Sequence, residues 1–244
     1  MADEVNYKII GDDMQAVIVT LDQGERVIAE AGAMMYMQDG IEMDTTLDPN
    51  AEGSGMMGKL IGGAKRALGG DSFFMTTFTN QARPARDVAF SAATPGKIHP
   101  VMLSDWGGRI VAQRDAFLCA ARGIQVSVAF SKRLGAGFFG GEGFILQHIA
   151  GDGLLFVHAS GTLCELSLAA GETVRVDTGC IVAFDERVDY NIQLVGGIKS
   201  MLFGGEGLFL ATLTGPGRVI LQSMPFSRLA NRVYAAMPHR RGDG

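Results

Sequence analysis

One heptapeptide pattern occurs three times in this chain, and such a recurrence limits the possible folds more strongly than any other feature of the sequence. Residues 140–146 read Gly-Gly-Glu-Gly-Phe-Ile-Leu, and residues 204–210 repeat the pattern closely. Residues 69–75 carry a weaker copy. Each copy passes from paired glycines through a carboxylate into an apolar stretch. The sequence therefore predicts one structural unit that is built three times.

The stretches after the glycine pairs have the composition of short strands. Glycine makes up 34 of the 244 residues, about twice its average share, and interior glycine disfavours long helices. Each apolar stretch reaches a turn and then a second apolar stretch, at residues 87–91, 154–159 and 218–222. This order is typical of a β-hairpin. We expect three hairpins of one design, each introduced by its glycine pair.

Segments upstream of the glycine pairs extend the repeat. Residues 24–32 parallel residues 171–179, and Asp115 falls opposite Gly179. The units implied by these matches are residues 1–93 with an insertion, 94–157 and 158–224, followed by a tail over 225–244. Such units are small for independent cores, so we expect them to share buried faces. The predicted fold is all-β, with triplicated β-sandwich or double-stranded β-helix-like units and a short C-terminal helix.

The tail contains the clearest helical pattern of the sequence. Phe226, Leu229 and Val233 recur at helical spacing after Pro225, and Pro238 ends the pattern. We expect this helix to dock on the last unit or on an adjoining chain. Contact with a membrane or another partner is the alternative.

The doubled motif and the tail carry a resemblance to a known family. Residues 139–143 and 203–207 both read Phe-Gly-Gly-Glu-Gly, and residues 222–230 read Gln-Ser-Met-Pro-Phe-Ser-Arg-Leu-Ala. Over nearly its whole length the chain resembles the altered-inheritance-of-mitochondria family. The first copy of the motif departs from the family pattern, because Asp71-Ser72 stands where the other copies have Glu-Gly.

The resemblance implies a triplicated version of the fold of the tryptophan-sensing RNA-binding attenuator protein, whose units line up into rings. By analogy, three units per chain and three chains would give a homotrimer in the form of a pseudo-nine-membered ring. The family has no agreed enzymatic activity. Similarity of fold alone does not carry over binding of RNA or of tryptophan.

Charge and cysteine usage bear on partners and location. The net charge of −5 gives no global basic field for nucleic acid, so no nucleic-acid partner is expected. Cys119, Cys164 and Cys180 lack paired spacing and are interpreted as small buried hydrophobic residues in a reducing compartment. No apolar run is long enough to span a bilayer. We expect a cytoplasmic protein.

The carboxylates of the repeated motif have two interpretations. Asp71, Glu142 and Glu206 could be paired acids or metal ligands, or they could bind backbone N–H groups of their own glycine turns. Their presence in all three units favours the structural role, because an active site rarely needs three equivalent copies. The residues assigned to structural turns are Gly69, Gly70, Asp71, Gly140, Gly141, Glu142, Gly204, Gly205 and Glu206.

Cations precede each glycine pair. Beside successive glycines they could form nests for anions such as phosphate or lipid headgroups; a solvated loop is the alternative. The sequence contains neither a dinucleotide-binding nor a Walker-type glycine pattern in the required context. The candidate anion-binding residues are Lys65, Arg66, Lys132, Arg133 and Lys199.

The insertion in the first unit contains a basic amphipathic pattern over residues 53–68. Met56, Met57, Leu60 and Ile61 follow helical spacing, with cations around them, which is typical of a helix that touches an anionic membrane or a partner. Glycines within the segment weaken such a helix. A loop that packs on a neighbouring chain is the alternative.

Histidines and nucleophiles show no catalytic or metal-binding spacing. The four histidines, including His148 and His158, are interpreted as satisfied or exposed side chains. No catalytic residue, metal ligand or cofactor is predicted. The expected function is a non-enzymatic oligomeric scaffold or binding protein, with peripheral membrane contact as a hypothesis. An anion-binding or small-ligand-binding protein that uses the glycine turns is the alternative, and an enzyme of unknown reaction is the third.

Overall fold

The part of the chain that the structure describes is built almost entirely from β-strands. The computed structural model describes residues 2–46, 75–132, 144–194 and 209–237. Its strands are β1 (Asn6–Ile10), β2 (Ala16–Leu21), β3 (Arg26–Glu30), β4 (Met34–Met37), β5 (Ile41–Thr46), β6 (Met75–Asn80), β7 (Arg86–Ser91), β8 (Gly96–Met102), β9 (Arg109–Gln113), β10 (Phe117–Ala121), β11 (Gln125–Lys132), β12 (Phe144–Ala150), β13 (Leu154–Ser160), β14 (Leu163–Leu168), β15 (Thr173–Asp177), β16 (Ile181–Asp185), β17 (Asp189–Leu194), β18 (Phe209–Thr214) and β19 (Gly217–Gln222). The helix α1 spans Phe226–Ala236.

The strands form four sheets, which we call A to D. The strand orders are β1-β2-β7-β4 in sheet A, β5-β6-β3-β10-β13-β8 in sheet B, β11-β12-β9-β16-β19-β14 in sheet C and β15-β18-β17 in sheet D. Apart from β1, one arrangement of six strands occurs three times, in repeat 1 (β2–β7), repeat 2 (β8–β13) and repeat 3 (β14–β19). In each repeat the first, sixth and third strands lie side by side, and the second, fifth and fourth strands lie side by side in another sheet.

Neighbouring repeats are joined because they share a sheet. The second strand of repeat 1, β3, pairs with the third strand of repeat 2, β10. The second strand of repeat 2, β9, pairs with the third strand of repeat 3, β16, in the same antiparallel manner. We call this pairing a junction. Sheets B and C therefore each combine strands of two repeats, whereas sheets A and D contain strands of one repeat only.

The three predicted hairpins are wrong. The strand after each glycine pair and the strand that follows it lie in different sheets, as in β6 and β7, β12 and β13, and β18 and β19. The partner of each fifth strand is instead the preceding strand: β5 pairs with β6, β11 with β12 and β17 with β18. A short turn between two apolar strands occurs both in hairpins and where a chain crosses between packed sheets. Residue alternation does not distinguish the two cases.

Glycines at these crossings let the chain change sheets within few residues. Gly151, between β12 and β13, has a φ of 151°. Gly217, the first residue of β19, has a φ of 153°, and a Cβ there would lie 2.7 Å from Cγ2 of Val188. Both the backbone conformation and the available space at Gly217 therefore exclude a side chain.

Three apolar cores fill the spaces between successive sheets. The residues that fill them include Phe90 and Phe156 between sheets A and B, Leu155 and Ile110 between B and C, and Phe184 and Leu213 between C and D. Sheets B and C are thus covered on both faces, as expected for strands that are apolar at successive positions. This explains why β10 and β16 are buried along their whole length.

The predicted fold class is confirmed, since the described chain is all-β with a short C-terminal helix. Helix α1 has 11 residues and begins after Pro225. The unit limits after residues 93, 157 and 224 stay predictions from the sequence.

Candidate functional site

Most site residues predicted from the sequence lie outside the described residues, so their turn, anion-binding and membrane roles stay predictions. Lys132 ends β11, where it pairs with Phe144 in the ladder of β12. The predicted residues outside the described ranges are Met56, Met57, Leu60, Ile61, Lys65, Arg66, Gly69, Gly70, Asp71, Arg133, Gly140, Gly141, Glu142, Lys199, Gly204, Gly205 and Glu206.

A cavity of about 410 Å³ is lined by all three repeats. Each repeat contributes the region where its second strand turns toward its third strand, and the end of its sixth strand. Gly32, Asp115 and Gly179 mark the first region in repeats 1, 2 and 3. The N-terminal end of α1 completes the lining through Pro225 and Phe226. We call this space the repeat cavity.

Equivalent positions of the three sixth strands supply polar side chains to the repeat cavity. In the ladders with the third strands, Phe90 pairs with Met34, Val157 with Phe117 and Leu221 with Ile181. The next residues are therefore equivalent to one another. They are Ser91, His158 and Gln222, and all three line the repeat cavity. This position of the repeat is thus occupied by a polar residue in all three copies, and the residue type differs from copy to copy.

Hydrogen bonds connect the repeats at one wall of the repeat cavity. The hydroxyls of Thr94 and Ser160 lie 2.5 Å apart. The Ser160 backbone N–H donates to Oε1 of Gln222 over 2.9 Å, and Nε2 of Gln222 donates to the Gly179 carbonyl over 2.8 Å. Both ends of the Gln222 amide are therefore satisfied by protein, and this side chain ties repeat 2 to repeat 3.

Repeat 2 also contributes a cluster of polar and charged side chains to the lining. Nε2 of Gln113 donates to Oδ2 of Asp115 over 3.1 Å. The Arg114 guanidinium forms two hydrogen bonds to Oδ1 of Asp115, at 3.1 and 3.0 Å. Asp115 thus holds both neighbouring side chains. The sequence alignment set Asp115 opposite Gly179 but gave no role to it or to Gln113.

His158 is the buried titratable group of the repeat cavity. Its side chain is part of a residue only 5% exposed. Burial lowers the pKa of the imidazole from its usual 6.5, and a hydrogen bond with the backbone of Thr94 raises it again in part. The interpretation of His158 as a satisfied side chain therefore holds for one ring nitrogen. Extending the alignment of the repeats to their sixth strands would have set His158 opposite Ser91 and Gln222.

The lowered pKa of His158 gives a pH dependence of stability. Below pH 6.5 the unfolded chain binds a proton at this residue more readily than the folded chain does, so the free energy of unfolding should fall as the pH drops through 6.5 toward the folded pKa. Chemical denaturation at pH 7.5 and 5.5 should show a larger loss in wild type than in His158→Gln. An equal loss in the two proteins would contradict the assignment.

Two strands leave the junction pattern incomplete within the described chain. The third strand of repeat 1, β4, ends sheet A, and the second strand of repeat 3, β15, ends sheet D. Residues Met34 to Met37 are 36–52% exposed, whereas the equivalent strands β10 and β16 are fully buried. An exposed apolar edge strand is a template for further pairing.

Helix α1 presents apolar side chains to solvent. Three apolar residues of α1, Phe226, Val233 and Tyr234, and Met237 directly after it are each at least half exposed. No residue of α1 is buried. In the part of the chain that the structure describes, no helix is long and apolar enough to cross a membrane. The Arg228 guanidinium of α1 contacts Asp177 of β15 over 3.2 Å, and the predicted docking of α1 on the last unit or on an adjoining chain stays a prediction.

Metal ligands and cysteines add no second site among the described residues. No group of three or more His, Cys, Asp or Glu side chains in the described ranges could hold a metal ion. None of the three cysteines forms a disulfide with another; Cys119 is buried, but Cys164 is exposed and Cys180 is half-buried. The prediction of three buried cysteines is therefore confirmed for Cys119 and wrong for Cys164, because β14 lies at the edge of sheet C, and Cys180 is only partly buried.

These features define a class of protein: an all-β array of sandwich repeats that share sheets, with the third strand of the first repeat and the second strand of the last repeat at sheet edges. The family model described as Mitochondrial biogenesis AIM24 matches residues 7–224, and the chain belongs to that family, which confirms the predicted resemblance. An uncharacterised protein of Streptococcus pyogenes serotype M6 is 29% identical over 226 residues, which cover 91% of this chain and 86% of that protein. A crystal structure of a Streptococcus pyogenes protein is similar to this chain with a TM-score of 0.77 and 24% sequence identity. The match covers 96% of this chain and 100% of that chain, and it shows that the two proteins share a fold.

Proposed function

We propose that the protein is a ring-forming oligomeric scaffold, in which β15 of one chain pairs with β4 of the next chain. The observation that carries the proposal is the junction, which occurs twice within the chain and is left half-formed at both of its ends. Pairing between chains would complete a third sheet of the same kind from sheets D and A. It would also cover the exposed methionines of β4.

The register of the two internal junctions predicts the register between chains. Ala29 pairs with Cys119 and Ile28 with Ala120 in the first junction, and Ala112 pairs with Ala183 and Val111 with Phe184 in the second. The third strands share a register irregularity, between Met34 and Tyr36, Phe117 and Cys119, and Ile181 and Ala183, which aligns them residue by residue. Val176 should therefore pair with Tyr36 of the next chain, and Arg175 with Met37.

Backbone groups at both edges point the right way for this register. The Gly215 N–H donates to the Glu172 carbonyl in the direction of β18. The backbone groups of successive residues in a strand point to alternate sides. Arg175 lies three residues after Glu172, so its N–H and carbonyl point away from β18, to the open edge of sheet D. The Gln38 N–H donates to the Asp87 carbonyl of β7, so the preceding Met37 faces the open edge of sheet A. Arg175 and Met37 can thus exchange two hydrogen bonds.

Head-to-tail pairing of unlike edges produces a closed ring or an open fibre. The family resemblance implies the fold of the ring-forming attenuator protein, and by that analogy we propose a homotrimer, in which three chains supply a ring of nine repeats. The cytoplasm is the proposed location, since the absence of a disulfide among the three cysteines agrees with a reducing compartment. We propose a scaffold or binding role without catalysis, with the repeat cavity and the exposed face of α1 as surfaces that the ring would display in several copies.

A cysteine cross-link tests the proposed register. Gln38→Cys and Val174→Cys, in a chain whose native cysteines are replaced by alanine, should form a disulfide between chains and yield covalent species up to the trimer. The two residues would form a non-hydrogen-bonded antiparallel pair with Cα atoms about 4.5 Å apart, which suits a disulfide. Non-reducing electrophoresis after mild oxidation gives the result.

The matched control is Gln38→Cys with Arg175→Cys. These side chains would lie on opposite faces of the joined sheet, so this pair should stay uncross-linked. Equal cross-linking of both pairs, or cross-linking of neither, would contradict the proposed junction between chains.

A further inference from the structure

We propose that the repeat cavity binds a small uncharged or cationic molecule that offers N–H or O–H donors on one edge and an apolar face on the other. The cavity belongs to a single chain, so this binding does not depend on the proposed ring. Its volume of about 410 Å³ lies in the range of pockets that enclose small ligands.

The first acceptor for such a ligand is Gln113. The residue is 7% exposed and lines the cavity. Its Nε2 donates to Asp115, whereas its Oε1 accepts no hydrogen bond from the described residues. This oxygen lines the cavity and can accept a hydrogen bond from a ligand N–H or O–H.

The second acceptor is the imidazole of His158. Its bond to the Thr94 backbone favours the charged form of the ring, so the backbone group is an acceptor and the imidazole N–H donates to it. A neutral imidazole has one donor nitrogen and one acceptor nitrogen. The second nitrogen is therefore an acceptor, and within the described chain it has no donor.

The charge of the lining selects against anions. Arg114 contributes one guanidinium to the lining. The guanidinium is already paired with Asp115 at 3.0 Å. An anionic ligand would meet two hydrogen-bond acceptors, Gln113 and His158, whereas a cation or a neutral donor would meet complementary groups.

The rest of the lining is apolar. Phe117, Leu118 and Pro225 are buried and contribute to the lining, and small side chains such as Ala93 border the space. A ligand with one flat apolar face would pack here and present its donors to Gln113 and His158. This division into an apolar wall and a few polar groups is typical of small-molecule sites.

Three probes with one ring and different charges test the proposal: benzamidine, benzamide and benzoate. Titration of the full-length protein followed by nuclear magnetic resonance should show benzamidine and benzamide binding at least about tenfold more tightly than benzoate. The signals that move should include the side chains of Gln113 and His158. Gln113→Leu, which removes the acceptor and keeps most of the volume, should weaken benzamidine about tenfold.

Two further variants separate loss of binding from loss of fold. Ala93→Trp, at an exposed residue of the lining, should block the cavity and abolish probe binding with the core unchanged. Gln125→Leu, an exposed glutamine outside the cavity, should bind benzamidine as wild type does. The proposal is overturned if benzoate binds as tightly as benzamidine, if no probe binds, or if Gln113→Leu and Ala93→Trp both leave binding unchanged. If the protein forms the ring but binds no probe, only the ligand proposal fails. If it binds the probes but forms no ring, only the scaffold proposal fails.

Discussion

Replacing Met37 with proline should convert the oligomer into single chains of 25.9 kDa. Met37 directs its backbone N–H away from β7, so proline leaves the ladder of sheet A intact and removes a donor only from the open edge. At each junction between chains, proline would remove one hydrogen-bond donor and add the bulk of its pyrrolidine ring, and together these changes should abolish the pairing. Light scattering coupled to size exclusion should show one third of the wild-type mass.

Met102→Pro is the matched control for this experiment. Met102 is an exposed methionine at the end of β8, the outer strand of sheet B. Leu103 donates to the Gly153 carbonyl, so the Met102 N–H also points away from its ladder, and its φ of −80° suits proline. This variant should keep the wild-type mass. A trimer of Met37→Pro, or a wild-type protein that is already a monomer, would refute the ring.

Truncation of Phe156 to alanine should lower the free energy of unfolding by about 3–5 kcal/mol. Phe156 is fully buried, and the Tyr7 ring packs edge-on against it with 4.9 Å between ring centres. The residue belongs to repeat 2 but lies in the core between sheets A and B, which is otherwise dominated by repeat 1. Denaturation by guanidinium at one protein concentration should still give a single transition, because the damage falls on a core that two repeats share.

Phe226→Ala provides the comparison for Phe156→Ala, because Phe226 is 56% exposed at the start of α1. Its effect should stay within about 0.5 kcal/mol. Similar losses for both variants, or separate transitions for the repeats in Phe156→Ala, would contradict the shared core.

The sequence predicts the class of fold well, because its signals are local. Paired glycines, alternating side chains and the spacing of Phe226, Leu229 and Val233 each act over a few residues, and strands and a helix follow from them. Strand pairing is a long-range property. Nothing local separates a turn such as Gly151-Asp152-Gly153, which crosses between sheets, from one that closes a hairpin. The hairpin prediction failed for this reason, although the strands themselves lie close to their predicted positions.

The repeat cavity was missed for a related reason. Its lining joins Gln113, His158 and Gln222, which are far apart in the chain and carry no shared motif. The repeat alignment stopped short of the sixth strands, and the register of the sixth and third strands sets His158 and Gln222 at equivalent positions. The residues that the sequence does emphasise, such as Gly140 and Gly204, lie outside the described part of the chain.

The sharing of sheets B and C has a consequence for how such a protein can be cut or extended. Any division between repeats passes through the middle of a sheet, because it separates β3 from β10 or β9 from β16. A single repeat expressed alone would therefore have two unpaired strand edges with exposed apolar side chains. An added repeat, in contrast, would extend the array by one complete sheet and leave the same two end strands exposed. Chain length in this architecture can therefore change by whole repeats through duplication, whereas a fragment would expose unpaired apolar strands.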